Sequence, residues 1–223
     1  MKFGITASSI SIAPPGDFAL LLDGVAPAID IPGIDNETGS FVWCLDLTIT
    51  NGPGDEAPFF GDSSQDTHGW GAYDKVADAL GMGIFGVSEE ASSAGVLTRN
   101  AAHTVVILHG IGTNATKAWV NGVKVIDATY SDSPSPGIGN VVLGSGNFSG
   151  YGYSMSGVLR GAERFDSLTD GQAAAWTGVG SLGGGVPPTN SYAFNQSSGT
   201  TVTDTAGSAD ATVDLAHATW VPR

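Results

Sequence analysis

Few side chains in this sequence could carry catalysis. There are five glutamates (Glu37, Glu56, Glu89, Glu90 and Glu163), four histidines and a single cysteine, Cys44. A serine nucleophile needs a G-x-S-x-G elbow with a histidine and an acid as partners, and no such elbow occurs. The H-E-x-x-H and Cys/His spacings of zinc sites and the acidic loop of an EF-hand are missing too. GMGIFG at 81–86 does match G-x-G-x-x-G. A dinucleotide site also needs a strand before that pattern, a helix after it and an acid about 20 residues on. Here VSEEASSAG follows, with no acid near position 104, so the glycines read as a tightly packed strand or bulge. His103 and His109 fall on one expected strand, where a hydrogen-bonded structural role suits them better than that of base or ligand. Cys44 has no base beside it and reads as structural.

The elements that must position these residues are strands. The chain has 223 residues, 41% of them hydrophobic and only 13% charged, with 33 glycines and 11 prolines. That suits one all-β domain with a substantial core. Net charge is −14, from 22 acids against 8 Lys and Arg. Such a field repels phosphate backbones and anionic lipid, so neither nucleic acid nor membrane is an expected partner. One cysteine builds no disulfide framework, and MKFGITASSISIAPPGDF lacks a long apolar run, so neither a secretory leader nor a spanning segment is expected.

FVWCLDLTIT at 41–50 is the clearest strand: Phe41, Trp43, Leu45, Leu47 and Ile49 share one face, with Val42, Cys44, Asp46 and Thr48 on the other. FALLLDGVAPAIDIPG reads as two short strands around a turn, and residues 51–75 as loop. LGMGIFGVSEE and HTVVILHGIG are further strands. In KAWVNGVKVID, Asn121-Gly122 specifies a two-residue hairpin, expected to pair Val120 with Val123 and Ala118 with Val125, and to set Trp119 beside Lys124. NVVLGSG is another strand, and YGYSMSGVLRGAERF continues its sheet. SLTDGQAAAW is a short helix capped by Ser167 or Thr169. GVGSLGGGVPPTN is a flexible link to a last stretch with Tyr192, Phe194, Val213, Leu215 and Trp220 in strand grammar.

In this order, LLLDGVAPAIDIPG, GSFVWCLDLTIT, HTVVILHG, KAWVNGVKVID and NVVLGSGNFSGYGYSMSGVLRGAERF resemble the laminin-G-like, concanavalin A-like jelly-roll family. The resemblance implies an all-β fold of two antiparallel sheets packed face to face, with one short helix. Its boundaries are an N-terminal arm (1–16), a jelly roll (17–177), a Gly/Pro linker (178–190) and a C-terminal strand segment (191–223). In many members a segment like this last one comes first, so it is expected to supply outer strands as in a circular permutation, within its own sandwich or in a neighbour's.

The family's glucanases carry E-x-D-x-x-E along one strand. Glu163-Arg164-Phe165-Asp166 lacks that spacing and the third acid, so no enzyme is expected. Family members often hold one Ca²⁺ on a rim, and it is the one cofactor the resemblance allows. The weak candidates are Asp62 and Asp66, with Gln65 and Asp74 in the same loop, and Asp204, Asp210 and Asp214 in DTAGSADATVD; solvated loop acids explain both groups as well. Sugar-stacking candidates are Trp70, Tyr73, Tyr151 and Tyr153 in Gly-rich segments, which could equally cap the sandwich ends. Such domains recur in phage tail and head-surface proteins. The first expectation is therefore a non-catalytic virion-surface protein, made in the host cytoplasm, that contacts virion proteins and copies of itself through its terminal arms. The alternative is a carbohydrate-binding module for host-surface adhesion, with or without Ca²⁺.

Overall fold

The computed structural model describes residues 18–34, 40–51, 57–62, 70–75, 77–84, 88–110, 115–129, 140–145 and 154–223. The N-terminal arm, Gln65, Asp66, Tyr151 and Tyr153 lie outside them. The described strands, numbered along the chain, form two antiparallel sheets packed as a jelly-roll sandwich.

The first sheet runs β10 (Val123–Thr129), β9 (Ala115–Val120), β8 (Ala102–Gly110), β3 (Phe41–Ile49), β12 (Ser156–Phe165), β1 (Phe18–Asp23), β16 (Ala218–Pro222). A further strand, β13 (Asn190–Ala193), shares the far edge of β12 with β1. The second sheet runs β14 (Thr201–Val202), β15 (Ala211–Val213), β2 (Ile29–Ile31), β11 (Val141–Leu143), β4 (Ala57–Asp62), β5 (Trp70–Lys75), β6 (Ala79–Ile84), β7 (Ser88–Ala91). The last 34 residues thus add strands to both sheets of their own chain.

Alternation along β3 drives the packing. Phe41, Trp43, Leu45, Leu47 and Ile49 all point into the space between the sheets. Trp43 meets Phe60 at 5.5 Å and stacks on Tyr192 at 6.4 Å between ring centroids. The Tyr192 hydroxyl donates to the Ala209 carbonyl at 2.7 Å, which fixes the terminal segment to the core. The other face of β3 is buried as well. Val42 and Cys44 form a second cluster with Val106, Trp119 and Phe165 beneath Leu168, Ala173 and Trp176. Burial pushes the Cys44 thiol up, with Glu163 adding to the effect, which suits a packing role.

The helix α1 (Asp170–Ala175) opens on a Thr169/Gln172 capping box, in agreement with one of the two expected caps. Asn121 and Gly122 have φ of 50° and 78°, as the hairpin requires. A Cβ on Gly122 would lie 2.7 Å from the Ala174 carbonyl, so the turn docks against the helix end. Ala118 pairs with Ile126 and not with Val125, because a bulge after Lys124 shifts the register. Trp119, expected beside Lys124, lies opposite it but is buried under the helix.

Four other expectations are corrected. Residues 51–75 contain β4 and β5, whose glycines, Pro58 and polar flanks mask the strand pattern. LGMGIFGVSEE forms two strands, β6 and β7. β11 and β12 belong to different sheets, so the second does not continue the sheet of the first. The Gly/Pro link is a fastened crossing: Leu182 and Val186 pack on the second cluster. It is held by the Glu163 carboxylate, which accepts from Trp176 Nε1 at 2.7 Å, Gly180 N at 3.0 Å and Ser191 Oγ at 3.2 Å.

Glu163 is only 2% exposed. Glu163→Gln puts an N–H₂ donor among groups that donate, leaving buried donors unpaired. Urea unfolding should show a loss of about 1–3 kcal/mol; an unchanged midpoint would mean the crossing is not held from Glu163.

Candidate functional site

The outer face of the second sheet has an unusual composition. Ile29 and Ile31, Val141 and Leu143, Leu80 and Met82, Ala211 and Val213 all enter the core. The alternate positions Asp30, Val142, Gly81, Gly83 and Thr212 therefore belong to the outer face. Register across the strands places one continuous row there. Thr212 pairs with Asp30 and Asp30 with Val142; Val142 pairs with Gly61, Gly61 with Gly71, Gly71 with Gly83 and Gly83 with Glu89. Three neighbouring strands thus place glycine at the same level. With strands about 4.8 Å apart, the row from Gly61 to Gly83 spans roughly 10 Å over which the three strands set no side chain of their own, and Gly61 and Gly83 are themselves buried.

This trench runs at one end towards a cavity of about 230 Å³, lined by Pro27, Ala28, Ile29, Asp30, Val142, Thr212 and Asp214. Asp30 Oδ2 accepts from Asn140 Nδ2 at 2.8 Å, which fixes the carboxylate. Asp214 Oδ1 accepts from Ala216 N at 2.9 Å. Exposed Glu89 stands at the other end. The arrangement is an apolar floor with oxygen acceptors at its ends. It can take the faces of flat polyhydroxylated rings and the hydroxyls at their rims.

Both aromatic candidates within the described residues stand on β5 and not in a loop. Tyr73 is in register with Gly81, in the row beside the three glycines, and Trp70 is in register with Ile84. The glycine row itself escapes sequence reasoning. Each glycine follows a large apolar residue (Phe60, Trp70, Met82), but only the register of β4, β5 and β6 aligns them. GMGIFG is followed by β7 and not by a helix, which removes the dinucleotide pattern.

Several acids singled out as calcium candidates have other partners. Asp74 lies 2.7 Å from Arg99 Nη2, and the same guanidinium donates to Asp78 Oδ1 and the Asn51 carbonyl. The Asp204 carboxylate accepts from Asn190 Nδ2 and from the backbone N–H groups of Ser191, Ala206, Gly207 and Ala209. Burial is the largest single influence and works against its charge, but the N–H groups of Gly207, Ser191 and Ala206 and the Asn190 amide together hold the carboxyl below its ordinary value. Asp210 accepts from Asp204 N, completing that loop. Asp62 closes β4, with its backbone paired to Val141. Among the described residues no three His, Cys, Asp or Glu side chains gather as a metal site.

The histidines on β8 are structural. His103 bonds the Thr98 carbonyl and the Asn121 amide. His109 bonds Thr116 Oγ1, and burial lowers its pKa to about 4.

No protein-family model and no curated protein sequence matches the chain. Solved structures do match. A native heptameric SAP-like pentraxin from Limulus polyphemus superposes with a TM-score of 0.57 at 15% identity, over 92% of this chain and 98% of the pentraxin. A Bacteroides ovatus protein named as a candidate carbohydrate binder gives 0.68 at 15% identity, over 92% of this chain and 60% of its own. The CBM40 of the Ruminococcus gnavus IT-sialidase, bound to α2,3-sialyllactose, gives 0.54 at 15% identity, over 70% of this chain and 97% of the module. Likeness at this identity shows the two-sheet antiparallel jelly-roll sandwich and says nothing of the ligand.

Burial is the main cause that raises the Asp74 carboxyl to about 7; Arg99 pulls it down and Asp78 adds to the rise. The unfolded value is near 3.8, so between about pH 4 and 7 the folded chain holds a proton that the unfolded chain has released. Stability should therefore fall as pH rises through that window and level off above it, by roughly 4 kcal/mol at most. Chemical denaturation at pH 4.5 and 7.5 should show a fall that shrinks in Asp74→Asn; an equal fall in both proteins would remove Asp74 as its source.

Proposed function

We propose that the protein is a non-catalytic glycan-binding module that seats a sugar chain along the outer face of its second sheet. The observation that carries this reading is the alignment of Gly61, Gly71 and Gly83 on three adjacent strands, between the Asp30–Thr212 cavity and Glu89. Side chains normally crowd a sheet face. Leaving them out of three adjacent strands lets a ligand approach the backbone over a length of about one or two sugar rings, given the strand spacing. Acceptors fixed at the ends suit ring hydroxyls, since Asp30 is held by Asn140 before any ligand arrives. Tyr73, beside the row in register with Gly81, is the aromatic position best placed to take part.

The non-catalytic part rests on the spacing of the acids. Asp30 on β2 and Glu89 on β7 are five strand intervals apart, about 24 Å, whereas glycosidase carboxyls stand about 5–10 Å apart. Asp214 lines the same cavity as Asp30, and its Oδ1 accepts from the Ala216 N–H. Glu163 is closed in by three donors on the other sheet. Ca²⁺ is not required by this reading. The virion-surface role drawn from the sequence gains no support from the structural likenesses, and nothing in the described residues favours it.

Gly83→Val fills the Glu89 end of the glycine row with a residue that strands favour. On a glycan panel the parent protein should bind at least one oligosaccharide, and Gly83→Val should lose that binding while melting within a few degrees of the parent. Binding that survives the substitution would place the site elsewhere. The same incubations should release no reducing ends; release would make the protein an enzyme.

A further inference from the structure

The outer face of the first sheet carries a separate concavity, a trough of about 400 Å³ lined by Asp46, Arg160, Gly161, Val179, Asn195 and Arg223 among others. It is built by a bulge. Leu159 pairs with Leu47 and Gly161 with Asp46, so Arg160 is the extra residue on β12. Bulges re-aim side chains, and this one directs Arg160 across β3. Its Nη1 donates to Asp46 Oδ1 at 3.1 Å and its Nη2 to Thr48 Oγ1. Arg223 donates from Nη2 to the Arg160 carbonyl at 3.1 Å, which brings a second guanidinium to the same place. The floor has to be glycine: a Cβ on Gly161 would lie 2.4 Å from Val179 Cγ2. Two of the eight cationic side chains in a chain of net charge −14 meet here. Burial raises the Asp46 carboxyl although Arg160 pulls it down, as expected in a recess partly shut off from water.

We propose that this trough is a second ligand site that takes a sugar bearing a carboxylate. The sugar's carboxylate meets the guanidinium of Arg223 and the outer edge of Arg160, in the charge-assisted geometry that arginine offers. Its ring hydroxyls meet Asp46 and the Asn195 amide, and its C–H face lies on the half-exposed methyls of Val179. A peptide is disfavoured at this position. Gly161 is already paired with Ala193 on one side and Asp46 on the other, so no strand edge is open for a peptide backbone to join. The trough lies on the opposite sheet from the glycine trench and stands independently of it.

The test is an NMR titration of the full-length chain with sodium D-glucuronate, set against D-glucose and sodium L-glutamate. Glucuronate should shift the amides of Gly161, Ala193 and Asn195 with a Kd of about 1 mM. Arg223→Gln, which changes an exposed side chain, should weaken that binding about tenfold. Arg160→Gln should do the same, provided its spectrum shows a folded protein. The proposal is overturned if glucuronate shifts none of these amides or if Arg223→Gln binds it unchanged. Equal binding of glucose would overturn the carboxylate requirement, and equal binding of glutamate the requirement for a sugar.

Discussion

One extra residue in β12 determines how both faces of the first sheet are used. In an unbroken strand, residues three apart point to opposite sides. Leu159 and Ala162 nevertheless both enter the core, because the bulge at Arg160 advances the register between them. The same step sends Arg160 and Glu163 outward together. Arg160 reaches Asp46 and Thr48, and Glu163 holds the crossing that follows the helix. Without the bulge one of the two apolar residues would leave the core, and a slip of that kind is costly wherever a face is buried.

The two sheets treat their outer faces in opposite ways. The first covers part of its outer face with α1 and the 176–189 crossing, so β3 is apolar on both sides over Val42 and Cys44 and polar only further along, at Asp46 and Thr48. The second thins its outer face instead, setting glycine on three adjacent strands. Glycine weakens a strand by its loss of chain entropy. The second sheet tolerates this because its inner positions, Phe60, Leu80 and Met82 among them, are fully engaged with Trp43 and the rest of the core.

What the sequence conveys and what it hides follow from range. The β3 alternation, the Asn121-Gly122 turn and the Thr169 cap are local signals, and each was legible. β4 and β5 were not, because Pro58, Gly61 and Gly71 break the apolar pattern that marks a strand. The trench depends on partners ten and twelve residues apart falling into one register. The trough depends on a bulge, which leaves no mark in composition. Glu163 looked like a failed catalytic motif until its three donors were placed around it. The Gly/Pro stretch read as slack for a similar reason: its fastening comes from a strand and not from its own residues.

The pairing of Phe18 with Pro222 closes nearly the whole described chain into one loop. β1 has β16 on one side, and β2 in the opposite sheet has β15, so strands from the start of the domain wait for strands from its end. Loop closure on that scale delays assembly, and topologies rich in such contacts fold in milliseconds to seconds rather than microseconds. On a ribosome, β1 and β2 would emerge with their outer edges uncovered and stay so until β15 and β16 had left the exit tunnel. Unpaired edges of this kind invite association with other chains. The early strands of the sandwich therefore stay open to edge-to-edge aggregation until β15 and β16 are available to cover them.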